Sequence, residues 1–287
     1  MSALRACELC GAKDPRVLYV CDEDFVDSLV FKGHRQRYTI CKCRQCHLVF
    51  VGEGIDDSLL PTLYDADYYR GRDGAGFQDY GAAEKKYRAR FRNRLKRLSK
   101  EVRGGRVLDV GCALGWFLSE AQEAGFEPIG VEVSPSSAQI VWSRFKIQVH
   151  TVPLAELSVD ALGVFDLVTL WDTIEHAVHP LDLLRQARRF VRPGGYLVMT
   201  TGNHGSWRSR LWRKKWALIR PPKHLFYFTP RSLRRLAEDA GFDFLRIWTE
   251  MPERLPKCIS RAATAVSENA ADIFAMVVRR PLDDGRL

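Results

Sequence analysis

Side chains suited to chemistry gather at three places in this 287-residue chain. The first is "VLDVGCALGWFL", Val107 to Leu118, where an apolar run ends in Asp109 and is followed by Gly111 and Gly115. Glycine lets a backbone turn tightly and lets a ligand come close where a Cβ would stand in the way. A second acid, Glu132 in "GVEVS", stands 23 residues beyond Asp109, and a carboxylate there can accept from both hydroxyls of a ribose. A pyrophosphate fits poorly: with Gly111 as the first glycine of G-x-G-x-x-G, the other two positions are Ala113 and Trp116. Alone, either acid reads equally well as a helix cap beside glycines that only turn the chain. In order, at the ends of successive strands, they point to an adenosyl ligand.

The second place is "WDTIEHAVHP", which offers Asp172, Glu175, His176 and His179 just past another apolar run. His176 is the first candidate for a general base, since neutral imidazole is available near pH 7. Glu175 and His176 read equally as organisers of a loop and a helix start. The third place is N-terminal. Cys7-x2-Cys10 and Cys43-x2-Cys46 form two thiolate pairs, each on a tight turn, and four sulfurs about 2.3 Å from zinc make a closed, tetrahedral, structural site. Cys41 competes with Cys43 by position, but x2 spacing to Cys46 favours Cys43. Cys21 and Cys41 are then ordinary buried thiols.

The elements that must hold these groups follow from periodicity. From Ala82 a helix is expected, with Tyr87, Phe91, Leu95 and Leu98 in one apolar stripe on a basic cylinder, ended by Gly104-Gly105. Strand "RVLDV", helix "GWFLSEAQEAG", strand "EPIGVEV" and helix "SPSSAQIVWSRF" come next. A short strand near "IQVHTV", strand "FDLVTLWD", helix "PLDLLRQARRFV" and strand "GYLVMTT" follow. A basic insert, helix "TPRSLRRLAEDAG" and strands "FDFLRIWTE" and "DIFAMVVRR" complete the pattern. Such alternation means an α/β fold with a parallel sheet, helices on both faces and ligands at the carboxyl ends of the strands. The chain divides into a cysteine-rich module (1–52) with strands "RVLYV", "RYTI" and "HLVFV", a linker and aromatic cap segment (53–81), and an α/β domain (82–287) with the basic insert at 204–224.

Composition sets outer bounds. Hydrophobic content of 46% and charged content of 28% are those of a soluble globular protein. There is no apolar run of about 18 residues that would span a membrane, and "MSALRACELCG" lacks a signal-peptide core, so a cytoplasmic location is expected. Six of the eight cysteines fall within the first 46 residues, and in a reducing cytosol such pairs hold zinc rather than form disulfides. The net charge of +9 is concentrated in "EKKYRARFRNRLKRLSK" and "WRSRLWRKKW". The insert interleaves Arg208, Arg210, Arg213, Lys214, Lys215 and Arg220 with Trp207, Trp212 and Trp216. Three readings stay open for it: a grip on a nucleotide or phosphate, a rest on anionic lipid headgroups, or a solvated lid whose tryptophans dock on the core.

"VLDVGCALGWFLSEAQEAGFEPIGVEVSP" resembles the first two motifs of class I S-adenosylmethionine-dependent methyltransferases, and "FDLVTLWDTIEHAVHPLDLLRQARRFVRPGGYLVMTTGN" resembles the fourth and following motifs. The resemblance runs from about Tyr80 to the final strand and implies a Rossmann-like sheet, mostly parallel with an antiparallel last strand. It implies that Asp109, Gly111, Cys112, Ala113 and Gly115 face the methionine part of the donor. Glu132 and Val133 would then hold the ribose side, Pro153 and Leu154 would lie near the adenine, and Asp172 near the sulfonium. Ala113 departs from a common glycine, and the usual adenine-side acid is not evident in "HTVPLAEL".

Asp172, Glu175 and His176 also resemble the acid-x-x-Glu-His arrangement of ubiquinone-pathway O-methyltransferases, which implies a magnesium-type ion as a further alternative. "RPPKHLFYFTPRSL" resembles the Pro-x-His-Leu-x-x-Phe segment of this subgroup, with Lys223 where many members have Glu. His224, Tyr227 and Phe228 either line an acceptor pocket or pack a lid on the sheet. "CELCG … YTICKCRQCHLVF … LYDADYY" is similar to the zinc-binding module ahead of many bacterial small-molecule methyltransferases. The expected function is methyl transfer from S-adenosylmethionine to O, N or C of a small, anionic acceptor such as a sugar nucleotide, glycan or secondary-metabolite intermediate. Glu175, His176 and His224 are the candidate catalytic residues. The alternative is an RNA-binding or RNA-modifying enzyme using the ribbon and the insert, against which stand the acidic, aromatic stretch from Leu63 to Tyr80 and the missing Asn-Pro-Pro-Tyr signature.

Overall fold

Val107, Leu108, Leu167 and Val168 are completely buried, as a parallel sheet covered on both faces demands. A computed structural model describes residues 4–22, 37–53, 83–250 and 271–282. Most of the expected linker and aromatic segment, from position 54 on, lies outside the described residues, as does Cys258. The described strands are β1 (Arg16–Asp22), β2 (Arg37–Lys42), β3 (Val49–Val51), β4 (Gly105–Val110), β5 (Phe126–Val131), β6 (Val149–His150), β7 (Phe165–Trp171), β8 (Val191–Gly202), β9 (Phe226–Tyr227), β10 (Asp243–Glu250) and β11 (Ile273–Arg279). The described helices are α1 (Glu84–Leu98), α2 (Trp116–Glu123), α3 (Pro135–Phe145), α4 (Val159–Leu162), α5 (Pro180–Phe190), α6 (Trp207–Trp212) and α7 (Pro230–Asp239).

The chain forms two compact units: Met1–Asp56, Asp172–Leu184 and Met199–Val278 in one, and Asp57–Trp171, Arg185–Val198 and Arg279–Leu287 in the other. In the second, β4 pairs in parallel with β5 (Asp109 opposite Gly130) and with β7 (Asp109 opposite Thr169), and β5 with β6. The seven-stranded sheet has the order β10-β11-β8-β7-β4-β5-β6. Gly194 donates to the Arg280 carbonyl and Asn203 to that of Asp272. Partners thus descend along β11 as β8 ascends, which makes β11 antiparallel as expected. The strand order reverses between β4 and β7, the place where such sheets open a crevice for a ligand.

Helix α1 buries Phe91, Leu95 and Leu98 as its apolar stripe requires, together with Arg94, whose guanidinium lies 4.6 Å from the Trp171 ring. It stops at Leu98, well short of Gly104-Gly105: the Ser99 hydroxyl donates to the Lys96 carbonyl, taking one of the terminal acceptors, and Gly105 already belongs to β4. Part of the first basic block is paired internally, Arg88 and Arg92 with the buried Glu120.

The first unit holds a separate antiparallel sheet in the order β1-β2-β3-β9. Its last strand comes from beyond the basic insert, with Val49 opposite Tyr227 and Phe50 opposite Phe226. Ile40, Phe50, Val51, Phe226 and Phe228 are all buried, on both faces of this sheet. Arg5 donates to the Val51 carbonyl and stacks 4.7 Å from the centre of the Phe226 ring.

Candidate functional site

In the second unit, the carboxyl ends of the neighbouring strands β4, β5 and β6 bring the glycine loop, Glu132, Val133 and Pro153 to one edge of the sheet. The loop turns through three left-handed residues, Gly111 (φ 78°), Ala113 (φ 49°) and Gly115 (φ 74°). At Gly115 a Cβ would stand 2.7 Å from Val141, so both the conformation and the space call for glycine. Glu132 is the clip. One carboxylate oxygen accepts from Ala113 N–H at 2.9 Å and the other from Ser134 N–H at 3.0 Å, tying the loop to the N-cap of α3. A carboxylate accepts up to about four hydrogen bonds, so clamping the backbone is compatible with binding a ribose. Val133 is 41% exposed and Pro153 is exposed as well, an apolar surface suited to the face of a purine.

Other residues expected here face inward. Asp109 is buried, accepts from the Thr169 hydroxyl at 2.7 Å, and has its carboxyl pushed up to about 7, mainly by burial. The Thr169 bond opposes that shift, the Glu132 charge adds to it and Arg94 opposes it. The Cys112 side chain packs with Leu118, Val141 and Ile147, and Leu154 is buried.

The first unit gathers a different set. Asp172, at φ 51°, follows β7 and accepts from the Thr200 hydroxyl at 2.9 Å. After it a 3-10 turn, Ile174–His176, places Glu175 and His176 beside His224. Side-chain N and O atoms of Glu175, His176 and His224 lie within 4.8 Å of one another, and the two imidazoles meet edge to face at 4.8 Å. His176 Nδ1 donates to the Lys223 carbonyl at 2.8 Å, and His224 Nδ1 to the Leu218 carbonyl at 2.7 Å. Burial lowers His176 to about 4 and His224 well below the ordinary value, so both rings are neutral near pH 7. Glu175, Thr201, Trp216, Leu218, His224 and Tyr227 line a small cavity. Phe228 is not among that lining; it is fully buried and stacks on Phe226. One carboxylate and two imidazoles are poor company for magnesium, which prefers six oxygens.

Burial and the Asp172 charge push the Glu175 carboxyl from 4.5 up to about 8, and its Oε2 has no hydrogen-bond partner. A raised acid holds in the folded state a proton that the unfolded chain has released, so its cost appears as pH rises from about 5 to 8. Glu175→Gln is therefore expected to match the parent protein at pH 5 and to exceed it above pH 8 by a few kcal/mol. Urea denaturation of both proteins across that range measures the difference.

The four thiols sit as a knot in the first unit. Cys7 and Cys46 sulfurs are 3.4 Å apart, Cys10 and Cys43 likewise, and all four lie within 4.8 Å of one another. Burial raises the Cys7 thiol to about 11. At Cys43 the N–H groups of Cys46 and Gln45 outweigh burial and lower it to about 7. Cys41 is buried in β2 and Cys21 is half-buried rather than fully inside. Four soft thiolate donors are the set that fits a closed structural zinc. The knot is linked to the imidazole cluster by backbone: Val51 donates to Leu225 at 2.9 Å, and Leu225 to the Glu175 carbonyl at 2.8 Å. His179 comes within 3.4 Å of Glu8, which lies between the first two cysteines.

The partners Thr169, Thr200, Thr201 and Asp272 were not singled out from sequence. Thr169 in "LVTLW" and Thr200-Thr201 in "LVMTT" were the available signal, since a hydroxyl inside a buried apolar strand needs a partner.

A family model described as "Methyltransferase domain" matches residues 83–247. The ubiquinone biosynthesis O-methyltransferase of Bordetella avium (strain 197N) is 34% identical over 115 residues, 38% of this chain and 47% of that protein. The chain thus spans about half the length of that relative. A SAM dependent methyltransferase from Archaeoglobus fulgidus superimposes with TM-score 0.52 at 21% identity, covering 70% of this chain and 99% of the other. Magnesium protoporphyrin IX methyltransferase from Synechocystis PCC 6803, solved with bound SAH, gives TM-score 0.57 at 14% identity, covering 78% and 100%. At these identities the two structures speak for the fold alone.

Proposed function

The chain belongs to the methyltransferase-domain family, and from that premise we propose that it moves a methyl group from S-adenosylmethionine to a hydroxyl of a small, anionic acceptor. The observation that carries this reading is the half-buried pair of neutral imidazoles, His176 and His224, against buried Glu175 and a cavity. S-adenosylmethionine supplies a methyl on a sulfonium leaving group, ready for in-line displacement. What the protein must add is position and a place for the acceptor's proton.

On this reading the Gly111–Gly115 loop and Glu132 hold the donor, with Val133 and Pro153 against its adenine. His224 is the base: its Nδ1–H is fixed on the Leu218 carbonyl, which leaves the lone pair at Nε2 to take the proton as the methyl arrives. His176, held on the Lys223 carbonyl, keeps that ring upright, and Glu175 stays protonated near neutral pH. Cys7, Cys10, Cys43 and Cys46 would hold zinc as a structural ion, closed to substrate. Its work is to fix β3, and through Leu225 the Glu175 turn.

The test uses methyl-labelled S-adenosylmethionine, fractionated extracts of the host as acceptor source, and a His224→Asn variant. Asn can keep the bond to Leu218 while removing Nε2. Label in a small-molecule fraction, with kcat lowered about 10²- to 10⁴-fold and donor KM little changed in the variant, is the expected result. Label that ribonuclease releases overturns the small acceptor, and an unchanged kcat overturns the assignment of the base.

A further inference from the structure

The basic insert splits its aromatic residues between inside and outside. Trp216 is buried and its indole donates to Asp272 at 3.3 Å, whereas Trp207 is 50%, Leu211 65% and Trp212 46% exposed. This is not a loose flap. Ser206 caps α6 by accepting from Ser209 N–H and also donates to Asp272 at 3.0 Å. Arg208 pairs with Asp272 at 2.9 Å, and its guanidinium lies 5.6 Å and 5.4 Å from the rings of Trp207 and Trp212. Trp207 and Leu211, four residues apart, share one face of the helix. A held platform thus presents large apolar groups to water.

The exposed charges of the insert itself have one sign, and its acidic partner Asp272 comes from further along the chain. Arg210, Arg213, Lys214 and Lys215 are exposed, and no Asp or Glu occurs between Asp182 and Glu238. Beside residues 213–215 runs β1, whose Val17 and Val20 are also exposed. Aliphatic side chains such as Leu211 offer no face for stacking a base, but they enter the boundary between headgroups and acyl chains. Tryptophan favours that same depth, and Lys and Arg reach the lipid phosphates.

We propose that α6 and the turn after it dock this protein on the surface of an anionic phospholipid bilayer. Among the described residues no helix is long and apolar enough to cross a membrane; the contact proposed is at the bilayer surface.

The experiment is co-sedimentation of the full chain with vesicles of phosphatidylcholine, with and without one-third phosphatidylglycerol. It compares the parent with Trp207→Ser/Leu211→Ser and with Lys214→Glu/Lys215→Glu. Melting temperatures of the variants check that these surface changes leave the fold intact. The expected result is binding that needs phosphatidylglycerol, weakens with salt, and falls about tenfold or more in each double variant. Absence of pelleting with the anionic vesicles overturns the proposal. So does full binding by the Trp207→Ser/Leu211→Ser protein, because charge alone would then explain it. Binding of an RNA oligomer that the same apolar substitutions abolish would reassign the surface to nucleic acid.

Discussion

Replacing Cys43 by Ser is expected to strip the protein of bound zinc and of transfer activity while donor affinity stays within about twofold. Cys43 is central to the knot: its sulfur sits 3.4 Å from that of Cys10 and accepts from Cys46 N–H, and its own N–H closes the turn on the Leu48 carbonyl. Structural zinc contributes an apparent 10–16 kcal/mol or so in small zinc folds near pH 7. The described N-terminal strands are only seven, six and three residues long, and small folds of that kind lean on a metal staple even where side chains such as Ile40 and Phe50 are buried. Loosening them frees Val51, then Leu225, then the Glu175 turn, because each is hydrogen-bonded to the next. The expected donor ligands, Gly111 to Gly115 and Glu132, belong to the other compact unit. Metal analysis by atomic emission, with donor titration by calorimetry, separates the two effects. A zinc-free variant that still transfers methyl groups at the parent rate would falsify the positioning role.

Glu132→Gln should weaken S-adenosylmethionine binding on the order of a hundredfold or more. An amide keeps one acceptor oxygen and turns the other into a donor, so it cannot receive both Ala113 N–H and Ser134 N–H. One of those N–H groups then faces an NH2 in a buried place, a loss of roughly 1–3 kcal/mol before any contact to the ribose is counted. The loop it anchors includes Ala113 at φ 49°, a conformation that costs a non-glycine residue about 1–2 kcal/mol and relaxes once the clip is gone. Isothermal titration with the donor and with its demethylated product measures the change. A variant that binds within threefold of the parent would show that the clip is structural only.

Much of this was legible in the chain itself. The strands from "RVLDV" to "DIFAMVVRR" announce themselves because a parallel sheet buried on both faces needs continuous apolar runs. The paired C-x2-C spacings mark the knot because each zinc knuckle is local in sequence. The pairing of β9 with β3 was not legible: Phe226 and Tyr227 read as part of "HLFYF" near the acceptor, and nothing local says which edge they join. The grouping of Glu175 with His224 was hidden for the same reason, since 49 positions separate them. Asp109 reads as a ligand from its place at a strand end, but the partner that holds it, Thr169, lies across the sheet on β7. Trp216 and Trp212 are alike as letters. Partners far along the chain or across the fold, such as Asp272 and His204, go with the one that turns inward.

The pairing of β3 with β9 also has a consequence for the life of the nascent chain. Phe50 and Phe226 are neighbours in the sheet and 176 positions apart, so at about 5–20 residues per second the ribosome supplies the second roughly 10–35 seconds after the first. Throughout that interval the outer edge of Val49-Phe50-Val51 stands open and apolar, the kind of strand that pairs with the wrong chain. All four thiols, by contrast, are present once Cys46 has emerged. If the four thiols hold zinc as proposed, they can take it up long before β9 arrives, and yield of active protein is then expected to track zinc in the growth medium more steeply than its final stability does.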